Sequence, residues 1–242
     1  MRTSLQIGDL TFEVTQSRRR RTVGITVDRG GELKLAVPHD TPDERVVAIV
    51  REKRSWIYGK LAEKAAQSRV RPPKEFVSGE GFHYLGRSHR LLLVDRQEAP
   101  LLLKNGRFSM KRDLAGSGRE LFIHWYIERG REWIARRVRR YADRMGASPT
   151  AVEVRDLGFR WGSCGKRGNL NFHWATVLLP PRIVDYVIVH ELAHLREPNH
   201  TPDFWLRMER ALPDYVDRKT WLAEHGAEYV AAQRLGEGPR VL

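Results

Sequence analysis

The sequence predicts an α+β fold, with a strand-rich N-terminal part followed by a helical half. Three observations carry this. Apolar and polar residues alternate over 5–37 and again over 81–110, apolar residues recur at helical spacing over 119–145, and an apolar helical segment around 183–195 contains paired histidines. The chain has 242 residues, 41% hydrophobic and 30% charged, a balance that fits a globular protein and excludes a disordered one. Its longest unbroken apolar run, Val46 to Val50, is far short of the ~20 residues a membrane-spanning helix needs, so no membrane association is expected.

The elements follow in order. Leu10, Phe12 and Val14 alternate with polar residues, as do Val23, Ile25, Val27 and then Leu33, Leu35, Val37, with turns at Gly8-Asp9 and Asp28-Arg29-Gly30-Gly31. Thr41, Pro42 and Glu44 have the spacing of a capping box with proline at the first helical position. The helix they open carries Val46, Val47, Ile49, Val50, Trp56, Ile57 and Leu61 as a buried stripe, and Pro72-Pro73 marks a linker after it. Further strands are expected at Tyr84-Leu85, Arg90 to Val94 and Leu101 to Lys104, the last closing on Asn105-Gly106, the strongest hairpin signal in the chain. Gly116-Ser117-Gly118 reads as a joint and suggests a division into residues 1–115 and 116–242, two parts that can also form one continuous domain.

The second half opens with a long helix from Arg119 to Met145, with Ile127, Ile134, Val138, Tyr141 and Met145 on one face and arginines on the others. Short strands are expected at Val152 to Arg155 and Asn169 to Phe172, separated by the loop Phe159 to Gly165. Pro180-Pro181 opens the next helix, Pro198 is expected to end it, and Tyr215 to Gln233 forms a closing helix. The sequence shows no internal repeat.

Lys plus Arg number 43 against 30 for Asp plus Glu, a formal charge of +13. Residues 151–242 hold 12 of each sign, so the whole excess lies in residues 1–150, including the run Arg18 to Arg21. Those arginines suit a solvated edge or an anion contact, and the basic part as a whole permits nucleic-acid binding, though no recognisable reading module accompanies it. Cys164 is the one cysteine, which excludes an intrachain disulfide; with no apolar leader after Met1, the expected location is the cytoplasm. A lone cysteine of this kind suits a small buried side chain better than a nucleophile or ligand.

The informative segment is His190-Glu191-Leu192-Ala193-His194. On a helix the two histidines stand one turn apart on one face, so both imidazoles can address one ion, with Glu191 beside the opening as general base. Chance produces such a pattern in a chain of this composition about 2% of the time. Ile183, Val184, Val187 and Ile188 bury the same helix, and a buried carboxyl between two histidines needs a partner. His200, six residues on in a Pro-Asn-His turn, and Glu209, on the next helix, compete for the third ligand, with His200 favoured. His173, Tyr186 and Tyr215 are candidate donors to a developing oxyanion.

Together Arg160-Trp161-Gly162-Ser163-Cys164, Asn169-Leu170-Asn171, Asp185 through Leu195, Asn199-His200, Asp203-Phe204-Trp205 and Leu212-Pro213-Asp214-Tyr215 resemble the YgjP-like family of zincin metallopeptidases. The core from His190 to Phe204 is also similar to that of SprT-type proteases. The resemblance implies a zincin-like helical half, a zinc ion on His190, His194 and His200, and Glu191 as base. It brings forward Arg160, Trp161, Asn171 and Tyr186 as substrate-binding positions, and it implies that the strand from Asn169 to Phe172 is the rim of a cleft to which an extended peptide can add. The family's peptidase label rests mainly on its motif, and some members are described as releasing pyrophosphate from UTP. The substrates implied are therefore a peptide or protein and, as the alternative, a nucleoside triphosphate.

Overall fold

The computed structural model describes residues 3–27, 32–68, 73–158, 160–232 and 235, so Asp28 to Gly31, Pro72, Phe159 and Gln233 lie outside the described residues. The fold is α+β. The chain divides into two compact units, Met1–Val70 and Arg71–Leu242.

The first unit holds strands β1 (Thr3–Ile7), β2 (Leu10–Ser17), β3 (Gly24–Val27) and β4 (Leu33–Pro38), in the order β1-β2-β4-β3. The alternation works as expected: Leu10, Phe12, Val14, Leu33, Leu35 and Val37 turn to one face and are buried with Val46, Val50 and Ile57 of the following helices. The single helix expected after them is two, α1 (Asp43–Glu52) and α2 (Arg54–Ser68), interrupted at Lys53. Thr41 does not cap α1. Pro42 occupies the cap position in an extended conformation, its carbonyl accepts the first helical bonds from Arg45 and Val46, and no side chain caps the end.

The second unit begins with β5 (Gly81–Tyr84), β6 (Arg87–Val94), β7 (Leu101–Lys104) and β8 (Arg107–Lys111), in the order β5-β6-β8-β7. Two antiparallel hairpins joined by a parallel central pair make up this sheet, the same order and sense as in the first unit. Asn105-Gly106 forms the expected tight turn, with positive φ at both residues (51° and 74°). The expected boundary at 115/116 is misplaced. Phe82 of β5 and Phe122 of helix α3 (Gly118–Met145) stack with ring centroids 3.9 Å apart, and Phe108 and Trp125 meet edge to face at 4.9 Å. Buried aromatics contribute about 1.5–3 kcal/mol each, so strands 81–111 share the core of the helical half.

Helix α3 ends at Gly146 in the left-handed conformation, where the Ala147 N–H donates to the Ala142 carbonyl. After it come β9 (Ala151–Arg155), β10 (Gly162–Cys164) and β11 (Asn169–His173), in the order β10-β11-β9. This corrects the expected rim strand. The strand at Asn169 is central, paired antiparallel with β10 and parallel with β9, so the edges are β9 and β10, and β10 lies inside the segment expected to be loop. Helix α4 (Pro181–Ala193) starts as expected, with Pro180 at the cap and Pro181 at N1. It ends well before Pro198, because the chain tightens into shorter-range bonds at Leu195 and Arg196. Helices α5 (Pro202–Ala211) and α6 (Tyr215–Ala232) complete the unit. No described helix is long and apolar enough to cross a membrane.

Candidate metal centre

The paired histidines sit at the C-terminal end of α4, His190 in its last turn and His194 at the cap. The chain then turns through Pro198 and Asn199 and brings His200 back. His190 Nε2 lies 3.2 Å from His194 Nε2 and 3.1 Å from His200 Nε2, and the three residues form the one three-ligand cluster found among the described residues. A tetrahedral ion with bonds of about 2.0–2.1 Å sets its nitrogen ligands about 3.3–3.4 Å apart, so both distances from His190 suit a divalent metal, and all three ligand atoms lie within 4.8 Å of one another.

The proton states fit as well. His194 Nδ1 lies 3.0 Å from the Glu197 carbonyl; donation there leaves the lone pair on Nε2, facing the cluster. Burial, followed by the charges of His194, His200 and Lys219, pushes His190 down to about 3, and burial, His194 and Lys219 lower His200. Neutral imidazole is the ligand form. Glu209 is not part of the cluster: it is exposed on α5, which turns Phe204, Met208 and Ala211 inward instead.

Glu191 is buried beside the cluster, and burial raises its carboxyl to about 7, opposed by the charge of Arg160 and a hydrogen bond from the Cys164 backbone. A cleft of about 700 Å³ opens here, lined by Arg160, β10 and Lys166 on one side and by His190, Glu191, His194 and His200 on the other. The bonds His173 N to Trp161 O and Gly165 N to Asn169 O place the odd-numbered residues against β11, so the peptide groups of Gly162 and Cys164 point outward from the edge.

Of the expected substrate-binding residues, Arg160 alone lines this cleft. The Trp161 side chain packs toward Gly226 of α6, while its carbonyl accepts from His173 N and Thr176 Oγ1, both at 2.9 Å. Asn171 is buried in β11 and donates through Nδ2 to Ser163 Oγ at 3.3 Å. Tyr186 is buried one turn before His190, and its hydroxyl is pushed up to about 12, first by burial. Of the other oxyanion candidates, His173 Nδ1 accepts from the Ala175 N–H, and the Tyr215 ring stacks on Trp205. Cys164 is half-buried in the cleft wall, where burial and then the charge of Glu191 push its thiol up, as suits a packing residue. Arg18, Arg20 and Arg21 are exposed and line a cleft of the first unit with Arg45.

The sequence reading missed Gly162, Lys166 and Thr201. Thr201 had a signal: threonine before Pro202 is a strong helix start, and its hydroxyl accepts from the Phe204 N–H at 3.3 Å. Lys166 had none, since nothing in its neighbours shows which way the turn presents it.

A profile of the YgjP-like metallopeptidase domain matches residues 21–225. The chain belongs to the YgjP-like family. This YgjP-like protein therefore belongs among hydrolases whose family name implies a metal, and its three histidines can hold one. The crystal structure of the metallopeptidase zymogen of Pyrococcus abyssi abylysin is similar over 38% of this chain and 93% of that one, at 21% identity and a TM-score of 0.35. No curated protein matches the YgjP-like chain.

Proposed function

We propose that the protein is a zinc-dependent hydrolase that cleaves peptide bonds in extended polypeptide. The observation that carries this is the convergence of three imidazoles, with the Nε2 atoms of His200 and His194 lying 3.1 and 3.2 Å from that of His190, beside a buried carboxyl. His190, His194 and His200 would hold the ion. When bound, zinc supplies Lewis acidity toward water and a scissile carbonyl. Glu191 moves the proton, taking it from the attacking water at a carboxylate oxygen and passing it to the leaving amine. A carboxyl held up to about 7 suits both directions of that transfer. The outward peptide groups of Gly162 and the outward carbonyl of Cys164, whose N–H already serves Glu191, give an extended substrate a strand edge to pair with beside the base.

Arg160 and Lys166 in the cleft favour a second reading, in which the same centre acts on a nucleoside triphosphate whose phosphates the two cations bind. One experiment separates the readings: zinc-loaded protein and its Glu191→Gln variant are incubated with casein and with UTP and other nucleoside triphosphates. Peptide cleavage without pyrophosphate release, lost in the variant, is expected. Pyrophosphate release without peptide cleavage overturns the peptidase reading.

A further inference from the structure

The three histidines are held by different means. His190 and His194 are carried by α4, and His194 is oriented further by its contact with the Glu197 carbonyl. His200 has neither support. It is exposed, it lies outside any helix, and among the described residues its Nδ1 has no hydrogen-bond partner. A ligating histidine is normally oriented by such a bond; water at this exposed position leaves the ring free to turn, so its orientation falls to the side chains packed against it.

What meets it is aromatic. The Trp205 indole lies nearly parallel to the His200 imidazole, at 5.5 Å between centroids and 21° between planes, and Phe204 meets it edge-on at 4.7 Å. Trp205 is itself held by α6: Tyr215 stacks on it at 5.5 Å and 19°, and Lys219 Nζ stands 4.3 Å from its ring centroid. Tyr215 and Lys219 are four residues apart and so share a helix face. At the other end the Trp205 N–H donates to the Thr201 carbonyl, fixing the arc from His200 into α5. Helical side chains lean toward the N-terminus of their helix, which brings Trp205 back over His200.

We propose that Trp205, backed by Tyr215 and Lys219, is a positioning residue that holds the His200 imidazole in place as the third metal ligand. This rests on the metal reading above. An exposed imidazole without a hydrogen bond loses rotamer freedom when it binds an ion, and a flat ring already packed against it removes much of that cost in advance.

The test is zinc affinity, measured by competition with a chromophoric chelator, for the unaltered protein, Trp205→Ala, Trp205→Phe, His200→Ala and the double variant Trp205→Ala/His200→Ala. Thermal melts of the metal-free forms report folding. Trp205→Ala is expected to lose 10–100-fold in affinity, the range found for groups that orient a ligand, while Trp205→Phe keeps most of it. In the His200→Ala background the same change should cost nothing more, and the cobalt-substituted Trp205→Ala protein should show the spectrum of a site short of one histidine. Unchanged affinity in Trp205→Ala, or losses that add in the double variant, overturn the inference alone. Absence of zinc binding by the unaltered protein overturns the metal reading and this inference with it.

Discussion

A Cβ at position 162 would stand 2.7 Å from both Cγ and Oε1 of Glu191, so β10 crosses the base with no side chain between them. Glycine is what lets the strand edge and the carboxyl share this space. Gly162→Ala should therefore displace the carboxyl while leaving the three histidines in place. We expect bound zinc to be unchanged and kcat to fall about 10–100-fold, the scale of a displacement near 1 Å. Metal content and turnover measured on the same preparation check this, and full activity would show that the carboxyl does not act from its observed position.

The raised carboxyl of Glu191 has a consequence for stability. Its value moves from 4.5 to about 7 on folding, so between those limits the folded chain holds a proton that the unfolded chain has released. The contribution of Glu191 is then intact below about pH 4.5 and is lost as pH rises through 7. Glu191→Gln removes this ionisation. In urea unfolding of the metal-free proteins, the stability of the variant relative to the unaltered chain should grow by about 2–3 kcal/mol from pH 4.5 to 7.5. A gap that stays level or narrows with pH contradicts the burial argument.

How much of this was legible in the sequence depends on how local the cause is. His190, Glu191 and His194 are fixed by helical geometry alone, so their spacing was enough. Asn105-Gly106 announced its turn because both residue types accept positive φ, and both adopt it. Leu85-Gly86 makes an equivalent turn with φ of 47° and 78° but was not foreseen, since leucine rarely adopts such values. That turn is held from outside: the Leu85 and Gly86 N–H groups donate to the Val177 and Leu178 carbonyls. The misplaced boundary has the same kind of cause, a Phe82–Phe122 contact spanning 40 residues. Strand β10 is three residues long and flanked by glycine, too short for alternation to show. Trp161 could be read as an aromatic near the site, but its direction, toward α6, is a property of the packed chain.

Separate removal of His200 and Glu209 tests the ligand set. The cluster contains His200, and Glu209 faces outward on α5, so His200→Ala should lose most of the bound zinc and Glu209→Ala should keep it. The same contrast should appear in thermal melts. Zinc at 100 times its dissociation constant stabilises the folded state by about 2.7 kcal/mol, which chelation with EDTA should reverse in the unaltered protein and in Glu209→Ala. His200→Ala should respond little to either treatment. A Glu209→Ala protein that loses its zinc would assign the third ligand to the carboxylate.

The motif helix is tied to α3 by a buried charge. Asp185 is 7% exposed on α4, five residues before His190; Arg137 Nε lies 2.8 Å from its Oδ1, and the Tyr141 hydroxyl donates to Oδ2 at 3.0 Å. Burial raises the Asp185 carboxyl, and the nearby Arg137 charge works against that rise. Asp185→Ala would leave a partly buried guanidinium and a buried hydroxyl without their partner, a loss of about 1–3 kcal/mol that a lowered urea midpoint should show. Five residues along a helix turn the side chain well away from the metal face, so zinc affinity of the folded variant should change little. Adding Arg137→Met should restore much of the stability, since removing both charges costs far less than orphaning one. If the double variant is no better than Asp185→Ala, the penalty comes from lost packing at the α3–α4 contact and not from the unpaired guanidinium.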